Sequence, residues 1–193
     1  YSFKVKSTDA AGNESATSSE ITIEIDTTAP SAPLIITTTT ATTDTTPTIE
    51  GTAEVGSTVE LFIGETSVGT TTAGSDGAFS ITTGELAEGD YSLTVTATDA
   101  AGNTSSASTA FVLTIDTTAP SAPLITTTTT VTNETTPIIK GTAEAGSTVE
   151  LFNGVISLGT ETAGSDGVFS ITSSQLAEGD YSLTVTATDA AGN

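Results

Sequence analysis

The feature that most constrains this chain is an internal repeat. The phrase Tyr-Ser-Leu-Thr-Val-Thr-Ala-Thr-Asp-Ala-Ala-Gly-Asn occupies residues 91–103 and returns unchanged at 181–193, and a divergent copy fills residues 1–13. The copies are 90 residues apart, and residues 27–103 align with 117–193 without a gap, with 16 of 77 positions different. A 90-residue unit is too long for an ankyrin or TPR repeat and suits one immunoglobulin-sized β-sandwich.

The pattern inside each unit predicts strands. Across Tyr91–Asp99 apolar residues alternate with Ser and Thr, as a half-buried strand requires. Further strands are predicted at Ser57–Ile63, Ala78–Thr82 and Phe111–Ile115, and no stretch has useful helical periodicity. We expect an all-β fold of tandem immunoglobulin-like Greek-key β-sandwiches, with about seven strands per 90-residue repeat. The threonine runs Thr37–Thr43 and Thr127–Thr130 are compatible with edge strands, because β-branched Thr tolerates both faces.

Tyr91 follows a Gly-Asp turn at the start of the penultimate strand. Immunoglobulin-like domains often place a tyrosine there, and its hydroxyl ties the corner to nearby backbone. A simple aromatic at the edge of the core is the alternative. Both interpretations make Tyr91 and its equivalent Tyr181 structural.

Two proline-containing segments mark the domain boundaries. Ile-Asp-Thr-Thr-Ala-Pro-Ser-Ala-Pro occurs at 25–33 and again at 115–123, and its prolines interrupt any strand ladder. The predicted units are residues 1–25, 26–115 and 116–193, called repeats 1, 2 and 3 below. Repeat 1 would hold only the last two strands of a preceding sandwich, and repeat 3 would lack its last strand. We expect an excerpt of a longer polymer; the alternative is that the first piece of one molecule completes the last piece of another.

Composition excludes several classes of function. The chain has no Cys or His, which removes the usual zinc and copper sites, thiol nucleophiles and the Ser-His-Asp arrangement. A carboxylate pair could still act on sugars, but only three Tyr and six Phe are available to line a cleft, so we expect no enzyme. Twenty-four acids against three Lys exclude nucleic acid and insertion at anionic membranes. Such an oxygen-rich surface attracts Ca²⁺.

The linker Asp26–Pro30 and the turn Asp99–Asn103 resemble those of bacterial immunoglobulin-like repeats in giant adhesins exported by type I secretion. The resemblance implies a location outside the cell, on the bacterial surface. It also implies an extender role that supports cell adhesion, host attachment or biofilm formation, with Ca²⁺ stiffening the domain junctions. The partners would be the neighbouring repeats of the same chain, with lateral or end-to-end self-association as a further expectation.

The sandwich geometry identifies candidate ligands for that cation. The first strand begins at the pole that carries the turn between the last two strands, so linker acids should lie beside that turn. The preceding repeat should contribute from its opposite pole. Acids in the other turns, such as Glu54 and Asp76, are second-rank candidates, and a solvated turn that caps its own backbone is the alternative for every acid. The first-rank set is Asp26, Asp99 and Asn103 at one junction, and Asp116, Asp189, Asn193, Glu88 and Asp90 at the next.

Two other functions remain open. The array could itself bind a carbohydrate or a protein ligand, which would call for an exposed aromatic cluster or a unit with specialised loops. It could also be a spacer attached to a secreted enzyme. Near-identical units favour a spacer over a ligand-binding array, although weak multivalent binding is compatible with them.

Overall fold

The computed structural model describes all 193 residues and consists of strands and connecting segments alone. It contains no helix with the length and hydropathy of a membrane span. Every strand pairing joins strands of the same predicted repeat. The strands are β1 (Ser2–Phe3) and β2 (Ile21–Thr22) in repeat 1; β3 (Leu34–Ile35), β4 (Ala41–Thr42), β5 (Thr48–Thr52), β6 (Thr58–Ile63), β7 (Thr66–Thr72), β8 (Ala78–Thr82), β9 (Gly89–Thr98) and β10 (Phe111–Ile115) in repeat 2; and β11 (Leu124–Ile125), β12 (Ile138–Thr142), β13 (Thr148–Asn153), β14 (Ile156–Thr162), β15 (Val168–Thr172) and β16 (Leu183–Thr188) in repeat 3.

Repeat 2 is a complete two-sheet sandwich. One sheet has the order β3-β5-β8 and the other β4-β10-β9-β6-β7. All neighbours are antiparallel except β4 and β10, which are parallel. The first strand is divided, with β3 in one sheet and β4 in the other. Counted as one, it gives the seven strands of an immunoglobulin-like sandwich, and the predicted fold class is confirmed.

The core of repeat 2 lies between the inward faces of these two sheets. Alternation in β5 and β8 buries every second residue and exposes the rest, as the half-buried pattern predicts. Gly51 occupies one of the inward positions because a Cβ there would overlap the Leu34 carbonyl and the Phe79 ring. The fully buried members of the core are Ile49, Val59, Leu61, Leu93, Val95, Leu113 and Ile115.

The tyrosine corner predicted from the sequence is confirmed. The Tyr91 hydroxyl donates a hydrogen bond to the Ala87 carbonyl at 2.8 Å, and Tyr181 does the same to Ala177 at 3.0 Å. Each bond closes the turn that precedes the penultimate strand. In repeat 2 that turn also faces repeat 3, because Glu88 within it contacts Thr117 and Thr118.

Repeat 3 contains two three-stranded sheets, β11-β12-β15 and β14-β13-β16. Its last strand has the same sequence as the end of β9, yet the burial differs. Leu93 and Val95 are fully buried in β9, which pairs with β6 and β10, whereas Leu183 and Val185 are only half-buried in β16, which pairs with β13 alone. The strand that seals a sandwich therefore decides how deeply an identical sequence is buried.

The threonine runs form less strand than the sequence suggests. In Thr37–Thr43 only Ala41–Thr42 pairs, as β4, and Thr127–Thr130 forms no strand. In repeat 2 the residues before β4 cross from one sheet to the other, so they cannot stay in a ladder. In repeat 3 there is no counterpart of β10 to pair with. The edge-strand interpretation is thus wrong for most of both runs.

Candidate functional site at the domain junctions

The Asp-Ala-Ala-Gly-Asn turn is held by its own aspartate. Asp99 Oδ1 accepts the backbone N–H groups of Ala101 and Asn103, each at 2.9 Å, and Oδ2 accepts the Asn103 side-chain amide at 2.8 Å. The same arrangement recurs at Asp189 in repeat 3 and at Asp9 in repeat 1. The aspartate therefore builds the turn in all three repeats, as an Asx residue does.

The asparagine of this turn fastens the linker. Asn103 Nδ2 also donates to the Asp26 carbonyl oxygen at 3.2 Å, and Asn193 Nδ2 donates to the Asp116 carbonyl at 2.8 Å. The sequence prediction that these linker aspartates lie beside the last turn of their own repeat is confirmed for both pairs. The contact uses the backbone carbonyl of the linker aspartate. Its side chain instead caps the linker, since Asp116 Oδ1 accepts the Thr118 N–H at 3.0 Å, and Asp26 has the matching bond.

The preceding repeat holds the linker from its opposite side. Glu88, in the turn before β9, accepts hydrogen bonds at Oε2 from the hydroxyls of Thr117 at 3.0 Å and Thr118 at 2.9 Å. These bonds cross from repeat 2 to the linker of repeat 3. Asp90 does not reach the linker and instead accepts the Thr114 hydroxyl of β10 at 2.6 Å. Of the two acids predicted for this side, only Glu88 contacts the linker.

The hydrogen bonds lower the pKa of the carboxyl groups that receive them. The Asn103 side chain holds the pKa of Asp99 below its usual value, and Asn193 does so for Asp189, in both cases against the raising effect of desolvation. The hydroxyls of Thr118 and Thr117 lower the pKa of Glu88. Hydrogen bonding to a charged carboxylate favours the charged form. All three groups therefore remain ionised to lower pH than an isolated carboxyl group.

The candidate residues differ in how well they suit Ca²⁺, which prefers six to eight oxygen ligands. Asp189 already accepts four N–H donors, so its carboxylate has little capacity left. By contrast, one carboxylate oxygen of each of three other acids accepts no hydrogen bond: Asp116 Oδ2, Glu88 Oε1 and Asp90 Oδ2. The linker acids and Glu88 therefore offer free carboxylate oxygens of the kind that Ca²⁺ binds. No group of three or more acids converges closely enough to hold a cation with carboxylates alone. Carbonyl, amide and water oxygens would have to complete the shell.

The second-rank acids serve their own turns. Asp76 Oδ1 caps the N–H of Ala78 at 3.0 Å, and Asp166 caps Val168 in the same way. The Glu54 carbonyl accepts the N–H and the hydroxyl of Ser57. The contacts of Asp76 and Asp166 account for those two carboxylates without a ligand, whereas Glu54 is held through its backbone carbonyl alone.

Two open grooves of repeat 2 are lined mainly by threonine, glycine and serine. One contains Asp44 as its only carboxylate and the other contains Glu50. Glycoside hydrolysis requires two carboxylates that face each other across the scissile bond. Neither groove offers such a pair.

Comparison with known structures identifies related folds. The fibronectin(III)-like modules of Clostridium thermocellum CbhA share 17% identity over 81% of this chain and 85% of theirs, with a TM-score of 0.52, which shows a common sandwich fold. The BSP domain of a biofilm-associated protein and a tetra-tandem repeat from the extending region of a large adhesion protein are each 25% identical. They cover 82% and 100% of this chain, with TM-scores of 0.34 and 0.38. The chain spans 27% of the first of those proteins and 53% of the second.

Comparison with curated proteins gave no match. Comparison with family models is decisive, because the family described as bacterial Ig-like domain matches residues 36–117 and 125–193. Those two ranges correspond to the sandwiches of repeats 2 and 3 and make up most of the chain. This protein belongs to the bacterial Ig-like domain family.

Proposed function

We propose that this chain is a non-catalytic extender segment of a large bacterial surface adhesin. It lies outside the cell, and it holds an adhesive region away from the surface in cell adhesion or biofilm formation. Near-identical successive units support this role, since a recognition surface would be expected to differ between units while a spacer needs only length. The chain is similar to repeats from the extending region of a large adhesion protein and to the BSP domain of a biofilm-associated protein.

The observation that carries the proposal is that one linker is held from both sides. Glu88 of repeat 2 accepts bonds from Thr117 and Thr118, and Asn193 of repeat 3 donates to the carbonyl of Asp116. A linker with free dihedral angles would act as a hinge, and a row of hinged domains would coil. A linker that is bonded to both neighbours transmits orientation from one domain to the next.

We further propose that Ca²⁺ stiffens this joint. Asp116, Glu88 and Asp90 have carboxylate oxygens without hydrogen bonds, and the Asn193 amide oxygen and nearby carbonyls are of the same hard-oxygen type. When bound, the ion would neutralise acids that otherwise repel across the junction, and its binding free energy would add to that of folding. Asp26, with Asn103 and Asp99, is the corresponding set at the preceding linker.

The test is small-angle X-ray scattering of the full chain with Ca²⁺ and with chelator, with circular dichroism as a check on folding. The proposal predicts that chelation shortens the maximum dimension while the β spectrum is unchanged. It also predicts that Glu88→Gln loses most of the calcium response. The calcium joint would be refuted if chelation changed neither the maximum dimension nor the melting temperature and the chain bound no Ca²⁺.

A second variant separates the hydrogen bonds from the cation. Thr117→Val with Thr118→Val removes both hydroxyl donors and leaves every candidate cation ligand in place. In chelator this variant should be shorter than the parent chain, and Ca²⁺ should restore most of the difference. The matched control is Glu161→Gln, which replaces an exposed acid on β14. It should leave the maximum dimension unchanged both with Ca²⁺ and in chelator. Parent-like scattering of the double variant in chelator would show that the Glu88 bonds do not hold the joint.

A further inference from the structure

The three lysines of this chain are not equivalent. Lys4 forms an ion pair with Glu20 at 3.1 Å, and Lys6 pairs with Glu14 at 2.8 Å. Lys140 pairs with no carboxylate, although the chain has 24 acids. Its backbone N–H and carbonyl bind Thr127, which fixes the strand and leaves the ammonium group on the surface.

Lys140 stands on an outer sheet face that carries no acid. The face is formed by β11, β12 and β15, and Lys140 is its single charge. Large apolar side chains surround the lysine and remain substantially exposed: Leu124 by 63%, Ile138 by 52% and Val168 by 47%. In a protein with a net charge of -21, a basic and apolar face of this kind is an exception.

The equivalent face of repeat 2 has the opposite charge at the same position. It is formed by β3, β5 and β8, and its single charge is Glu50, which is aligned with Lys140 and pairs with no lysine. Glu50 lies opposite Ser80 in the sheet register, as Lys140 lies opposite Ser170. The two faces share a backbone and differ in the sign of one central charge and at three positions around it, where Ile36, Thr48 and Ala78 of repeat 2 stand in place of Thr126, Ile138 and Val168 of repeat 3.

We propose that the β11-β12-β15 face of repeat 3 docks onto the β3-β5-β8 face of repeat 2 in a second copy of this chain, with Lys140 against Glu50. The partner is another copy of the chain, because every copy carries both faces, one with Lys140 and one with Glu50, on sheets of the same register. At physiological salt, charges more than about 8 Å apart are largely screened. Repulsion between the acids elsewhere on the two copies therefore opposes the contact less than the attraction between Lys140 and Glu50 favours it.

The size of the face sets how strong one contact can be. Each face consists of two five-residue strands and one two-residue strand, which at about 3.4 Å per residue and about 4.8 Å between strands present roughly 200 Å². Two such faces bury roughly 400 Å², well below the 1,200 Å² or so of a stable interface. A single contact is therefore weak and reversible. A long array would place many of these contacts in register, and their combined strength would hold chains side by side.

Charge reversal in the full chain tests the proposal, with the association constant measured by sedimentation equilibrium at physiological salt. Glu50→Lys and Lys140→Glu each place like charges opposite one another, and each should lower the association constant about three- to tenfold. The two substitutions together restore opposite charges and should return it to within about twofold of the parent. Both positions are exposed, and each substitution installs a charge that the other repeat carries there, so folding should be preserved.

Two comparisons make the result decisive. Glu161→Lys changes the net charge as Glu50→Lys does, but lies on the opposite sheet, and it should not weaken association. Ile138→Thr with Val168→Ala installs the residues of repeat 2 and should weaken association about twofold or more. If chains instead associate end to end, with β1–β2 of one copy pairing along the edge of β16 in another, neither charge reversal would change the association constant. Association that persists unchanged in the reversed variants, or a double variant that fails to recover, would overturn the proposal.

Discussion

Replacing Leu93 or Leu183 by alanine measures how much the last strand of a sandwich contributes to its core. The two residues occupy identical sequence, but Leu93 is 0% exposed beside β10 and Leu183 is only half-buried. Truncating a fully buried leucine removes transfer free energy and leaves a cavity, so Leu93→Ala should cost repeat 2 about 3 kcal/mol. The half-exposed site loses less transfer free energy and encloses no cavity, so Leu183→Ala should cost repeat 3 about 1 kcal/mol.

The chain provides its own probes for this experiment, because Tyr1, Tyr91 and Tyr181 place one tyrosine in each repeat and there is no tryptophan. With the other two tyrosines changed to phenylalanine, tyrosine fluorescence reports urea unfolding of one repeat at a time. The free energy of unfolding follows from linear extrapolation. Equal losses at the two sites, or a loss below about 1.5 kcal/mol at Leu93, would refute the idea that β10 seals the core.

Three further predictions concern repeat 2. Gly51→Ala should lower its free energy of unfolding by about 1–3 kcal/mol in urea titration, because the new Cβ meets the Leu34 carbonyl and the Phe79 ring; a neutral result would contradict that packing. Tyr91→Phe should cost about 1 kcal/mol through loss of the bond to Ala87, in a urea titration followed by circular dichroism rather than by tyrosine fluorescence, while Tyr1→Phe serves as the control. The lowered pKa of Asp99 means that its contribution to stability is complete above the usual aspartate pKa of about 3.9 and is lost as pH falls through the lower folded value. Asn103→Ala should therefore flatten the acid limb of the urea midpoint between pH 5 and pH 2, and an unchanged limb would exclude this amide as the main cause.

Much of the fold follows from local sequence patterns. The strands predicted at Ala78–Thr82 and Phe111–Ile115 match β8 and β10, and the strand predicted at Ser57–Ile63 begins one residue later, as β6. These segments have alternating or continuous apolar residues, which mark burial directly. β7 carries Thr, Ser and Gly with little alternation, and it forms because its neighbour β6 pairs with it along its length. Pairing between distant strands is not visible in a local pattern.

The junction was also predictable in part. Topology was sufficient to predict that Asp26 lies beside Asn103 and Asp116 beside Asn193. The atoms that make the contact were not predictable, since the amide donates to a backbone carbonyl while the carboxylates cap their own turns. The hydroxyl bonds from Thr117 and Thr118 to Glu88 were also missed, because nothing in a threonine-rich sequence distinguishes these two from the many others. Asp9 makes the same bonds to its own turn as Asp99 and Asp189, so the turn-building role of this aspartate is common to all three repeats.

The parallel pairing of β4 with β10 determines how repeat 2 would respond to a pull. The chain enters the domain through β3 and β4 and leaves through the far end of β10, so tension along the array slides these two neighbours past each other. The Thr114 N–H bond to the Thr40 carbonyl at 2.8 Å and the Asp116 N–H bond to the Thr42 carbonyl at 3.0 Å lie across that movement and are loaded together. Bonds loaded in shear resist as a group, whereas bonds at a peeling edge break one after another. Once they yield, about 90 residues at about 3.4 Å each would release roughly 300 Å of chain, so repeat 2 would lengthen under tension before the chain itself breaks.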